Sequence, residues 1–107
     1  MTVRTGGRVE RERFESLDDA LTELEARARD LQRDTRSKPI DTKILGRYEP
    51  AQQVAARLEL SAPRGVRAGL DVRGDGSAAS YLGWVRRRAV EEQGTESPYD
   101  ALRRVLG

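Results

Sequence analysis

The side chains best suited to recognition chemistry are arginines. Arg86-Arg87-Arg88 is the densest basic run, and Arg64, Arg67 and Arg73 precede it. A guanidinium is permanently charged, and its planar fork of donors matches phosphate oxygens in pairs. Residues 64–88 hold 6 basic and 2 acidic side chains, net +4, whereas residues 1–34 hold 7 basic and 9 acidic, net −2. A polyanion such as nucleic acid would therefore meet Arg64, Arg67, Arg73, Arg86 and Arg88. The competing reading is structural. These residues would guard an exposed strand end and pair with Glu91, Glu92 or the acidic first helix. Of the 20 basic residues only Lys38 and Lys43 are lysines, a bias that a GC-rich coding sequence would also produce.

Other chemistries find less support. The chain has no Cys and no His. A zinc site built from either, a disulfide, and any catalytic dyad or triad that needs them are thereby excluded. Ser77, Ser80 and the tyrosines have no histidine to activate them. No carboxylate pair stands out, because nearly every Asp and Glu falls in a helix cap, an ion pair or a turn. Asp71-x-Arg73-x-Asp75-Gly76 faintly echoes a calcium loop, but Arg73 stands where an oxygen ligand is needed and Leu82 where the bidentate glutamate belongs. No phosphate-binding glycine loop occurs. The expectation is a chain that is not an enzyme and carries neither cofactor nor metal.

The elements that must position these residues follow from periodicity. Met1–Gly7 reads as a loose terminus, and Arg8–Phe14 as a charged edge strand. Ser16–Asp34 reads as a helix. Ser16 caps it, Asp18 and Asp19 lie at its positive end, and Leu17, Ala20, Leu21, Leu24, Ala28 and Leu31 form one apolar stripe. Glu23–Arg27 and Glu25–Arg29 are spaced for i,i+4 pairing. Thr35–Lys43 is a polar loop, since Pro39 ends the helix before it. Tyr48–Leu60 reads either way. Val54, Ala56, Leu58 and Leu60 alternate as in a strand, while Pro50 followed by Ala51, Val54, Ala55 and Leu58 fits a helix.

Val66–Arg73 alternates strictly and runs into Asp75-Gly76, a strong hairpin signal. A two-residue turn there sets Leu70 opposite Tyr81, Ala68 opposite Gly83 and Val66 opposite Val85 on a core face. It sets Gly69 opposite Leu82 and Arg67 opposite Trp84 on the other face, with the return strand running on through Arg86–Val90. Trp84, Leu82, Arg67 and Gly69 then form an outer patch, with Arg67 near enough to Trp84 for a cation–π contact. That patch would be covered by a second copy of the chain or would stack a nucleic-acid base; otherwise the two faces are reversed. Ser97–Leu106 reads as a final helix, with Ser97 at its cap, Pro98 in first position and Asp100 completing the start.

The resulting architecture is a single α+β domain over 1–107, in the order β-α-β-β-β-α, with two helices on one face of a small antiparallel sheet. The helical reading of Tyr48–Leu60 gives instead a winged-helix-like arrangement, with Pro63–Leu70 as recognition helix and Leu70–Val85 as wing. The β-α-β-β-β-α order is similar to that of ribosome-associated hibernation factors, and its last five elements to double-stranded-RNA-binding domains. Those RNA-binding domains place lysines at the start of the last helix. Here that place holds Ser97-Pro98-Tyr99-Asp100, with Arg103 and Arg104 near the end.

Apolar residues make up 36 % of the chain, a thin supply for a core, and small chains often gain stability by pairing. No stretch approaches the roughly 20 apolar residues of a membrane span. The N-terminus lacks the apolar run of an export signal, so a cytoplasmic location is expected. The leading expectation is a non-enzymatic interaction module that forms a homodimer. The alternative is a nucleic-acid-binding protein that uses an arginine-rich hairpin.

Overall fold

Alternating and helical apolar patterns resolve into six strands and two helices in a computed structural model, which describes residues 1–37 and 53–107. The strands are β1 (Thr2–Thr5), β2 (Arg8–Arg11), β3 (Val54–Ala62), β4 (Val66–Arg73), β5 (Ala78–Leu82) and β6 (Arg88–Ala89). The helices are α1 (Leu17–Ser37), between β2 and β3, and α2 (Pro98–Leu106), after β6. The sheet is antiparallel throughout, in the order β2-β1-β3-β4-β5-β6. Both helices pack on one face of it. Ala20, Leu24 and Ala28 of α1 and Tyr99 and Leu102 of α2 share one core cluster with Val3, Leu58, Leu70 and Val72 of the strands. The α+β class read from the sequence is that of the structure, and the β-α-β-β-β-α order matches it with two short strands, β1 and β6, added.

The described part of the ambiguous segment, from Val54 on, is a strand. Its Ala56, Leu58 and Leu60 are buried. Residues 48–52 of that segment lie outside the described residues. Ala62 is followed by a short 3-10 turn, Pro63–Gly65, and then by β4. No recognition helix therefore exists over 63–70, and the winged-helix alternative falls. Gly65 and Gly69 would each have weakened such a helix by roughly 1 kcal/mol relative to Ala.

The first residues are not a loose terminus. β1 pairs with β2 on one side and β3 on the other, and Val3 is buried against Leu58. Gly6-Gly7 joins β1 to β2 in a two-residue turn, with Gly6 at φ 58°. A glycine at the first central position suits such hairpins because it takes positive φ without steric cost.

α1 begins as its sequence dictates, with the Asp19 N–H donating to Ser16 Oγ at 3.1 Å, and it runs three residues beyond the expected Asp34. The part of the expected loop from residue 38 to 43 lies outside the described residues. α2 carries the complete reciprocal cap. The Asp100 N–H donates to Ser97 Oγ at 3.1 Å, and the Ser97 N–H to the Asp100 carboxylate at 3.2 Å.

One turn corrects the hairpin register. Arg73 N–H donates to the Ser77 carbonyl at 2.8 Å, and Gly76 N–H to the Arg73 carbonyl at 2.9 Å. The loop is therefore Gly74-Asp75-Gly76, with Gly76 at φ 84°. It has three residues, with a left-handed glycine last. Asp75 holds it by accepting from the N–H and hydroxyl of Ser77. The pairing becomes Ala68 with Leu82, Gly69 with Tyr81 and Leu70 with Ser80. A shift of one residue exchanges the faces of a strand, so Leu82 turns to the helix side and packs on the core, while Tyr81 turns outward.

The return strand also ends earlier than its alternation suggests. Gly83 takes φ 79°, and a Cβ there would lie 2.9 Å from the Arg86 carbonyl. The chain turns over residues 83–87, and β6 folds back against β5. Val85, expected opposite Val66 in the core, is 96 % exposed.

Candidate arginine corner

One end of the sheet gathers the arginine-bearing turns. β3 leaves it at Ala62, β4 enters it at Val66, and β5 reaches it at Leu82 opposite Ala68. The turn with Arg64 and the turn over 83–87 both lie there. They are joined through Arg67, whose carbonyl accepts the Gly83 N–H at 2.8 Å. Arg64, Arg67, Arg86, Arg87 and Arg88 are all exposed at this end. Arg64 itself sits at φ 68°, a conformation that L residues rarely adopt.

Two aromatic rings organise the outer face of the corner. Arg67 lies on the sheet face away from the helices, alternating with buried Ala68. Its guanidinium carbon is 4.8 Å from the centroid of the Trp84 ring. Trp84 is half-buried and anchored, because its indole N–H donates to the Ala68 carbonyl at 3.2 Å. Beside it, Tyr81 lies across Gly69. A Cβ at residue 69 would fall 2.3 Å from the Tyr81 hydroxyl, so only glycine leaves room for the ring. Arg87 covers Tyr81 at 4.7 Å, and its Nε donates to the Trp84 carbonyl at 3.3 Å. Tyr81 is 6 % exposed. Burial, followed by the Asp71 charge, pushes its hydroxyl above the ordinary value, so the phenol stays neutral.

Ion pairing differs between this corner and much of the remaining surface. Arg4, Arg27, Arg29, Arg33, Arg57, Arg103 and Arg104 each meet a carboxylate. On the outer face Arg4 pairs with Glu59, and Arg57 pairs with Asp71 at 2.9 Å. The Asp71 hydrogen bond, opposed by burial, raises the Arg57 pKa. Arg64, Arg67, Arg86, Arg87 and Arg88 have no carboxylate partner among the described residues. The structural pairing with Glu91, Glu92 or α1 is thus absent there. Within α1, Glu25 binds Arg29 and Arg103, and Arg27 reaches Glu10 of β2 rather than Glu23.

The sequence-derived sites divide accordingly. Arg64, Arg67 and Arg86 come together with Trp84 at the corner. Arg88 stands opposite Leu82 and so faces the helix side, where it lines a shallow groove with Gln93, Arg104 and Val105. Arg73 lies at the far end of β4, six residues from Arg67. The cation–π contact of Arg67 with Trp84 is present. The apolar outer patch is not, since Leu82 faces the core and Gly69 is buried under Tyr81. Arg87 and Tyr81 were not among the sequence candidates. A strict alternation through 82–90 turns Arg87 away from its neighbours, and only Gly83, read as a strand breaker, could have revealed the turn that brings it back.

Another concave surface is a groove of about 450 Å³ between the start of α1 and the end of β3, lined by Met1, Phe14, Leu17, Leu60, Ala62 and Pro63 among others. Asp71 and Asp75, the carboxylates of the calcium-like spacing, are occupied by Arg57 and Ser77. No helix among the described residues is long and apolar enough to cross a membrane. No protein-family model, curated protein or solved structure matches this chain.

Proposed function

We propose that this protein is a non-enzymatic, cytoplasmic module that binds nucleic acid through its arginine corner. The observation that carries the reading is the contrast in pairing. Among the described residues, seven arginines elsewhere meet carboxylates and Arg8, Arg11, Arg13 and Arg73 do not, but only Arg64, Arg67, Arg86 and Arg87 gather unpaired at one end of the sheet beside two aromatic rings. Unpaired guanidinium groups brought together repel one another, and that repulsion is relieved when phosphates sit between them. The donors belong to Arg, which grips phosphate in pairs rather than as a point charge. Stacking on Trp84 and Tyr81 holds two of these side chains in place, so little rotamer freedom is lost on binding.

Self-association is the second reading. Val85, 96 % exposed at the tip of the same corner, favours it. It no longer draws on an apolar sheet face, because Leu82 packs inward. One experiment separates the two: size-exclusion chromatography with light scattering, on the protein alone and mixed with a mixed-sequence oligonucleotide. The nucleic-acid reading expects a monomer that co-elutes with the oligonucleotide at low salt and parts from it at high salt. Protein and oligonucleotide eluting apart at low salt would overturn it. A dimer in the absence of oligonucleotide would support self-association instead.

A further inference from the structure

Binding of a phosphate backbone does not by itself distinguish paired from unpaired strands. The outer face of the corner does. Arg67 lies on Trp84 and Arg87 on Tyr81, at 4.8 and 4.7 Å between guanidinium carbon and ring centroid. In each stack the arginine is exposed, and its ring is half-buried or buried. Each stack therefore holds an exposed guanidinium over a ring that supports it from below. Tyr81 pairs with Gly69, and Arg67 is two residues from Gly69 on the same face. Successive same-face positions on a strand are about 6.7 Å apart, so the two platforms are close neighbours. Among the described residues no helix covers this face, and two carboxylates on it, Glu59 and Asp71, are already held by Arg4 and Arg57.

Resting on the nucleic-acid reading above, we propose that the occupant of the corner is a single-stranded nucleic acid, two of whose bases stack on the guanidinium planes of Arg67 and Arg87. Unpaired bases can splay out and stack on aromatic rings or arginine planes, whereas bases in a duplex keep their faces covered by their neighbours. Arg64 and Arg86, at the two flanking turns, are then left for the phosphates that lead into and out of the stacked pair. Stacking needs only a π-face, so the site tolerates sequence.

Trp84 is the only tryptophan of the chain, and its fluorescence reports directly on this corner. The test titrates the protein with short oligouridine, with oligothymidine, and with a duplex of the same length. It is repeated on the double variant Arg67→Lys, Arg87→Lys, which keeps the charge and removes the stacking planes. Single strands should quench Trp84 and bind about tenfold more tightly than the duplex, as expected for one or two stacked bases. The double variant should lose that preference while still binding both forms at low salt. Equal affinity for single strand and duplex, unchanged in the double variant, would overturn the single-strand assignment and leave the backbone reading standing. Absence of binding to either form would overturn both.

Discussion

Gly69 and Tyr81 decide the outer face of the sheet. Glycine in the middle of a strand usually weakens it, and marks a place where something approaches closely. Here the approaching group is the Tyr81 ring, which covers the bare backbone and in turn supports Arg87. Replacing Gly69 by Ala should therefore do two things. It should destabilise the fold by about 1–3 kcal/mol, as expected when a methyl group is forced into filled space. It should also displace Arg87 from its ring. A denaturant titration measures the first effect, and adding Tyr81→Ala to the variant should restore part of the loss. The contact of Arg67 with Trp84 was legible in the sequence. The Tyr81–Gly69 pair was not, because it depends on a register that one turn residue controls.

Elements were legible where local chemistry and periodicity agreed. Ser97-Pro98-Tyr99-Asp100 specifies the start of α2 completely, and the stripe from Ala20 to Ala28 specifies the buried side of α1. The sequence signals the hairpin, but its loop is one residue longer than Asp75-Gly76 alone implies. Asp75-Gly76 fits a two-residue turn, and it also fits a three-residue loop whose last residue is a left-handed glycine. Only the tertiary preference for Leu82 inside and Tyr81 over Gly69 separates the two. β1 leaves little trace in the sequence, because its only buried side chain is Val3 and Gly6-Gly7 suits a slack terminus as well as a turn.

At the scale of elements, Glu25 ties the two helices together. Burial pushes its carboxyl up, yet hydrogen bonds from Arg103 and Arg29 outweigh burial and hold it below the ordinary 4.5. A depressed carboxylate stabilises the fold above its unfolded pKa, and that contribution is lost as pH falls through the folded value. Stability should thus decline as pH drops below 4.5, and Glu25→Gln should flatten the decline. Thermal unfolding followed over acidic pH measures both. An unchanged slope in the variant would mean that the link between α1 and α2 contributes nothing.

At the scale of the whole molecule, a nearly neutral chain has sorted its charge. Net charge is only +2. Yet ion pairs tie seven arginines of β1, β3, α1 and α2 to carboxylates, and a group of unpaired ones is left at one end of the sheet. Sequence arithmetic located a basic excess between residues 64 and 88, but it placed Arg73 and Arg88 with the others. The fold sends Arg73 to the far end and Arg88 to the helix side, and it supplies Arg87 instead. The most direct test of this account is the salt dependence of binding to a labelled single-stranded oligonucleotide, read by fluorescence anisotropy. Each arginine that neutralises a phosphate of a single strand contributes about −0.7 to the slope of log K against log salt. With Arg64 and Arg86 on phosphates, the slope should be about −1.4, and Arg64→Ala with Arg86→Ala should remove most of it. A slope near zero, or one that the double variant leaves unchanged, would contradict the account.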